Sequence, residues 1–482
     1  MQQLSSLDSA FVYLETRSTP MHVGGVHIYE GKGEPFDFNY YRELVRSRLH
    51  LSPVFRRRAV SVPLSLGRPY WIDDPDFDLD VHLEHVSLPA PGGWKQLREV
   101  ARDRFSTPMD FSRPLWSLTF VDGLDGIKEL PPHSFAMIGK LHHAAADGMG
   151  SMDVFTALWD TSPEVREYPD KGDWAPEAPP GRLSLVARTL AHVTRQPGTV
   201  ARTAADLLKG GYGLGKEWLG KESHAPQLLF TAPKTRFNQI VERRRSYGGV
   251  SLSLNGVKAI RAAVNGSTVN DVVLAICSGG LRRYLSKTDE LPEKTLVAMA
   301  PISVREDVTD GANAVSAMLV PLATDEPDAL RRFRKIHNSA IDSKAYTRAV
   351  GAARLTDATQ VVPFSLATAA SRLYSGMKVA RLHRPPFNLV ITNVPGPRMP
   401  LYLGGARLYN LFGMAPVIDG LGVLIVVTSY INHLTISVTG SRGLLPDVDV
   451  LLGSIKSSYR ELSRAAKQKK QRSVKKTTRR KT

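Results

Sequence analysis

HSFAMIGKLHHAAADGMGSMDVFTALWD, His133 to Asp160, reads as a strand, a turn and a helix in that order. Ser134 to Leu141 is a mainly apolar run of strand length, and Met152, Phe155, Leu158 and Trp159 recur at helical spacing. His142 and His143 therefore stand where a strand hands over to a helix, and strand ends in α/β folds are where ligand crevices open. Gly148 and Gly150 let the backbone beyond them turn tightly or approach a ligand. Successive strand residues point to opposite faces, so only one of the two histidines can face a cleft. The pair is not a metal site by itself. No further His, Asp or Glu cluster supplies ligands and the zinc-protease helix pattern is absent, so no metal is expected. Imidazole takes up a proton near neutrality, and one positioned against a reacting hydroxyl typically contributes about 10²–10⁴-fold in rate. Taken alone, the pattern also fits two hydrogen-bonded histidines followed by a capping Asp147. Asp147 then holds the histidine loop, either by capping the helix or by pairing with a distant arginine.

On the N-terminal side, His22–Glu30 and Leu115–Leu124 read as strands, and Arg42–His50 and Trp94–Phe105 as helices. The Pro- and acid-rich run Tyr168–Pro180 reads as a boundary loop. Leu183–Leu219 has helical character interrupted by glycines, and Gly220–Thr235 is loop-like. A second region follows. It has helices over Val269–Leu285, Ala329–Ser343 and Asp449–Arg464, and strands over Thr295–Val304, Ala314–Leu322, Phe387–Asn393, Arg407–Phe412, Leu421–Ile431 and Leu434–Thr439. The expected organisation is an α/β mixed-sheet domain at 1–180, a partly helical linker at 181–236, a second α/β domain at 237–466 and a basic tail at 467–482. A chain of 482 residues is longer than one core usually organises, which agrees with two domains.

The net charge is +17, and nine Lys or Arg with no acid lie between Lys467 and Thr482, leaving +8 on the rest. Such a block repels itself and has little to bury, so a disordered tail is expected. It lacks aromatic residues on which bases could stack, so nucleic acid is not the expected partner. Attraction to an anionic membrane or lipid-droplet surface is favoured, at about 1 kcal/mol per basic residue, over a plain solubilising role. The single cysteine, Cys277, excludes an intrachain disulfide and lies on the apolar side of its helix, as a buried inert thiol would. The N-terminus has no apolar h-region, and the most apolar stretch, Leu421–Ile431, is too short to span a bilayer of about 20 residues. A cytoplasmic protein working from the inner face of the membrane or from lipid inclusions is expected.

HHAAADG, His142–Gly148, resembles the HHxxxDG signature of the chloramphenicol-acetyltransferase-like superfamily. DSAFVYLETRSTPMHVGGV (Asp8–Val26), RPLW (Arg113–Trp116), NDVVLA (Asn270–Ala275), PISVR (Pro301–Arg305) and FNLVITNVPGP (Phe387–Pro397) occur around it in order. Together, from about Leu4 to Arg464, they resemble the bacterial wax ester synthase/acyl-CoA:diacylglycerol acyltransferase family. One departure is Ser117, where many relatives carry Glu. The resemblance implies two chloramphenicol-acetyltransferase-like domains with a tunnel between them and the HHxxxDG loop at its centre.

The resemblance also implies an activity: O-acyl transfer from acyl-CoA, as substrate and with no resident cofactor, to diacylglycerol or a long-chain alcohol. His143 takes the acceptor's proton in direct transfer, with His142 and Asp147 beside it in the catalytic set. Gly148, Asn270 and Trp116 are placed at the substrate, Trp116 as core or tunnel wall. Asp271 reads as half of a capping box with Thr268. Pro395 and Gly396 read as turn chemistry, and Arg305 as the arginine paired with Asp147 between domains. The alternatives are an acyltransferase fed by a carrier-protein thioester, or a catalytically silent lipid-binding protein of this fold. Oligomeric state is left open by the sequence.

Overall fold

The computed structural model describes residues 1–63, 67–147, 151–169, 176, 178–181, 183–187, 232–303, 315–350 and 384–478. They fall into two compact units, one within Met1–Pro226 and Pro400–Tyr409, the other within Gln227–Ala352, Lys378–Met399 and Asn410–Thr482. Of the expected linker at 181–236, residues 188–231 lie outside the described residues.

The first stretch carries β1 (Gln2–Gln3), α1 (Ser6–Leu14), β2 (His22–Tyr29), α2 (Phe38–Arg48), β3 (Arg57–Val60), β4 (Tyr70–Asp73) and β5 (Leu83–Ser87). It continues with α3 (Trp94–Ser106), β6 (Trp116–Asp122), β7 (Phe135–His142), α4 (His143–Asp147) and α5 (Ser151–Leu158). The second carries β8 (Arg245–Ser253), α6 (Leu254–Arg261), α7 (Val269–Lys287), β9 (Val297–Ser303), β10 (Val315–Pro321), α8 (Ala329–Val350) and β11 (Leu389–Pro395). After it come β12 (Tyr402–Leu403), β13 (Ala406–Met414), β14 (Val423–Tyr430), β15 (His433–Ser441) and α9 (Val448–Thr478).

One six-stranded sheet runs β12-β13-β2-β7-β6-β5, and beside it stands a small antiparallel sheet, β1-β4-β3. β7 pairs antiparallel with β2 and with β6, while β5 and β6 run parallel. Every residue of β7 is buried, which is why its sequence is a mainly apolar run rather than an alternation. Gly139 is required there: a Cβ would stand 2.2 Å from the Phe155 ring, which packs α5 against the strand. Behind α5, Arg48 is fully buried and bonds Leu158 O and Asp160 Oδ2, each at 2.6 Å. Asp160 also exchanges two backbone hydrogen bonds with Tyr402, 2.9 Å each, so the edge strand β12 attaches where the motif helix ends.

The second sheet runs β10-β9-β11-β14-β15-β8, with β11 parallel to β9 and β14 and the other pairs antiparallel. Its core is built by α7, apolar on most of its surface from Val272 to Leu285, with Phe333 and Ile336 of α8 and Leu451 and Ile455 of α9. Both sheets are mixed and helix-covered, the α/β class expected.

Over its described residues, 467–478, the basic end departs from the expected disordered tail, and 479–482 lie outside the described residues. α9 continues helically through Thr478. Lys, Arg, Gln and Ala are strong helix formers, and an already packed helix extends without a new nucleation step. Lys469 adds a tertiary bond, its Nζ donating to Ala263 O at 2.6 Å. No helix among the described residues is long and apolar enough to cross a membrane.

Candidate active site

β7 delivers His142 as its last residue and α4 begins at His143. His142 is wholly buried. Its Nδ1 lies 3.1 Å from the Ala144 backbone N, and its Nε2 lies 3.0 Å from Glu15 Oε2. An amide N–H can only donate, so Nδ1 accepts and Nε2 carries the proton given to Glu15. Those two bonds define a neutral ring with both nitrogens committed. The Phe111 ring meets it edge-on at 5.2 Å.

His143 is half-buried, and its ring stacks on Phe11 at 3.9 Å with 23° between planes. Its backbone N–H donates to Met21 O at 2.8 Å. Glu15 Oε2 accepts a second bond, from Met21 N at 2.7 Å. Phe11 belongs to α1 and Glu15 caps its C-terminus four residues on, so about one helical turn separates them. The loop between Glu15 and Met21 is closed by Thr16 and Thr19, whose hydroxyls lie 2.7 Å apart. α1 and its cap thus touch both histidines, one by stacking and one by hydrogen bond.

Lys140 lies two residues before His142, on the same strand face. Its ammonium donates to Arg104 O (3.0 Å) and Thr107 O (2.8 Å) at the C-terminal end of α3, where a helix dipole favours a cation. Burial, with Arg104 pushing the same way, lowers its pKa to about 8. Opposite His142 in the β2–β7 register stands His22, whose Nε2 donates to Phe105 O at 2.6 Å.

The remaining expected residues divide between the units. Trp116, expected as core or tunnel wall, is a core residue of the first unit. It is 4 % exposed, its indole N–H donates to Phe55 O at 3.0 Å, and His82 stacks on it at 4.4 Å, so the ring braces the core. Gly148, Arg305 and the Asp147 side chain lie outside the described residues. In the second unit, Asn270 Oδ1 accepts from Asn393 Nδ2 at 3.3 Å, joining the start of α7 to β11. Asp271 forms the capping box with Thr268 and also bonds His337 Nδ1 at 2.9 Å. Pro395 ends β11, and the Gly396 N–H donates to Ser429 Oγ at 3.3 Å. Cys277 is fully buried, and burial pushes its thiol up to about 12.

Phe11, Glu15 and Lys140 were not singled out by sequence reasoning. The readable signals were the one-turn spacing of Phe11 and Glu15 and a lysine inside an otherwise apolar strand.

The description of the wax ester synthase/diacylglycerol acyltransferase catalytic domain matches residues 4–273, and that of the corresponding C-terminal domain matches residues 311–463. A Mycobacterium tuberculosis protein provisionally named diacylglycerol O-acyltransferase is 34 % identical over 467 residues, 96 % of this chain and 99 % of the relative. The O-acyltransferase WSD of Acinetobacter baylyi is 32 % identical over 464 residues, covering 94 % and 95 %. Among solved structures, the wax ester synthase/diacylglycerol acyltransferase from Marinobacter aquaeolei VT8 superposes with a TM-score of 0.69 at 29 % identity, over 96 % of this chain and 100 % of that one. A starter condensation domain of rhizomide synthetase shares the fold, with a TM-score of 0.51 at 13 % identity over 96 % and 94 %. On these matches, spanning both units, the chain belongs to the wax ester synthase/diacylglycerol acyltransferase family.

Proposed function

We propose that this chain is an O-acyltransferase that moves a long-chain acyl group from acyl-CoA to the hydroxyl of diacylglycerol or a long-chain alcohol, with His143 as general base. The family membership supports the reaction class. The observation that supports the assignment of the base is the difference in burial: His142 is wholly buried, while His143, half-buried at the start of α4, rests its ring on Phe11.

In the reaction, the acceptor oxygen attacks the thioester carbonyl as its proton passes to the imidazole. The tetrahedral oxyanion then collapses and expels the CoA thiolate, which takes the proton back from the imidazolium. The products are ester and free CoA, and no acyl-enzyme forms. This chain's contribution is to hold a neutral imidazole against the hydroxyl and to keep the neighbouring ring from competing for the proton. Acyl-CoA enters as substrate, and no resident cofactor is part of the proposal.

Thiol release from palmitoyl-CoA, with diacylglycerol or hexadecanol supplied separately, tests the reading. His143→Ala is expected to lower kcat by about 10²–10⁴-fold with the protein still folded. Unchanged turnover, or an acyl-enzyme trapped on another residue, would refute the base.

The basic end of α9 supports a finer reading, that the protein works at an anionic membrane or lipid-droplet surface. Deleting residues 467–482 should then reduce cosedimentation with anionic vesicles and leave neutral vesicles unaffected. Equal binding of both forms to anionic vesicles would remove this reading.

A further inference from the structure

Glu15 lies outside the HHxxxDG segment, 127 residues before His142 in the chain. A single carboxylate oxygen, Oε2, accepts from His142 Nε2 and from Met21 N. Each of those partners holds a backbone amide of the first turn of α4. The Met21 carbonyl receives the His143 N–H at 2.8 Å, and His142 Nδ1 receives the Ala144 N–H at 3.1 Å. Two adjacent amides, at the proposed base and just after it, are therefore tied to one oxygen through one intermediary each. A carboxylate is acceptor-only, so it enforces the donor form at His142 Nε2, which leaves Nδ1 as an acceptor for Ala144. An imidazole of the other tautomer would present N–H to N–H at Ala144 and could not hold the turn. One helical turn earlier on α1, Phe11 supports the His143 ring directly.

We infer that Glu15 is a positioning residue: it fixes the tautomer of His142 and the register of the α4 turn, and through them orients the His143 imidazole for proton transfer. The inference rests on the reading of His143 as the base. Glu15 touches neither substrate nor the reacting atoms in this scheme. Its effect therefore belongs in kcat and not in KM, because a base held about 1 Å out of place costs on the order of 10²-fold in rate.

The test measures kcat and KM for palmitoyl-CoA and hexadecanol in Glu15→Ala, Glu15→Gln, Glu15→Asp, His143→Ala and the Glu15→Ala/His143→Ala double variant of the full chain. Glu15→Ala is expected to lose about 10²-fold in kcat with both KM values within about threefold of wild type. The double variant should be no slower than His143→Ala alone, since a residue acting through His143 has nothing left to position. Glu15→Gln keeps the reach and one acceptor oxygen and should recover most of the rate. Glu15→Asp keeps the charge but falls one methylene short and should recover less. That order decides the matter even if Glu15→Ala does not fold. Wild-type kcat in Glu15→Ala, a loss confined to KM, a further loss in the double variant, or Asp outperforming Gln each overturns the inference. His143→Ala with full activity is a different outcome, removing the base on which the inference rests rather than the part given to Glu15.

Discussion

Replacing Arg48 by Met tests how the motif helix is anchored. The guanidinium is fully buried, Asp160 is 3 % exposed, and 2.6 Å separates them. Arg48 also bonds Leu158 O and Arg166 O, closing the chain just after α5. Met retains most of the stem and removes the charge, leaving the Asp160 carboxylate buried without its cation. Breaking a buried pair from one side costs about 3–5 kcal/mol, whereas replacing both partners by apolar groups is often near neutral. Arg48→Met should therefore be severely destabilising, and Arg48→Met/Asp160→Leu should recover at least half of the loss. All six tryptophans lie at or before Trp218, within the first unit's part of the chain, so intrinsic fluorescence follows that unit alone. In urea the single change should move the fluorescence midpoint down by roughly 1–2 M, taking a slope of about 2–3 kcal/mol/M. A midpoint shift worth less than about 1 kcal/mol, or a double variant worse than the single, would refute the argument that the pair is electrostatically coupled in the core.

Three further outcomes follow from the same geometry. Gly139→Val should cost about 1–3 kcal/mol of first-unit stability by overpacking, and adding Phe155→Leu should restore part of it; an unaffected single variant would show that the Phe155 ring moves aside freely. Lys140 has its folded pKa lowered to about 8 against 10.5 unfolded, so above pH 8 the unfolded state binds more protons and the wild type gains stability as pH rises. The melting temperature of wild type minus that of Lys140→Met should therefore increase from pH 8 to pH 10, and a flat or falling difference would contradict the buried charged lysine. Cys277→Ala should keep kcat within about twofold while losing about 1 kcal/mol of stability from the cavity it leaves; loss of turnover without loss of folding would give the thiol a part in the chemistry.

Much of this molecule is legible in its sequence where local physics decides. β7 is a mainly apolar run because it is buried on both faces, and the Thr268–Asp271 capping box shows in the spacing alone. The strand-to-helix junction at His142 and His143 shows as a change of period. What escapes a linear reading is set by distance along the chain. Nothing near Glu15 announces a hydrogen bond to His142, and nothing in Arg48 announces a partner 112 residues away. Nothing near Trp116 announces its N–H bond to Phe55 O, 61 residues earlier. In the basic C-terminus, charge repulsion favours disorder and the helix propensity of Lys, Gln and Arg opposes it; the propensity prevails in the extension of α9 through Thr478.

The strand order carries a consequence for synthesis. β2 lies between β7 and β13, and Glu30 N–H donates to Arg407 O, so the neighbour on one side of β2 is made almost four hundred residues after it. At about 5–20 residues per second, that interval on the ribosome lasts on the order of half a minute. Throughout it, the emerging N-terminal half presents a row of backbone donors and acceptors with no strand to satisfy them, a template for pairing between nascent chains. An isolated fragment ending before Pro400 would carry that open edge permanently, so it should need a chaperone or a solubilising fusion partner that the intact polypeptide does without.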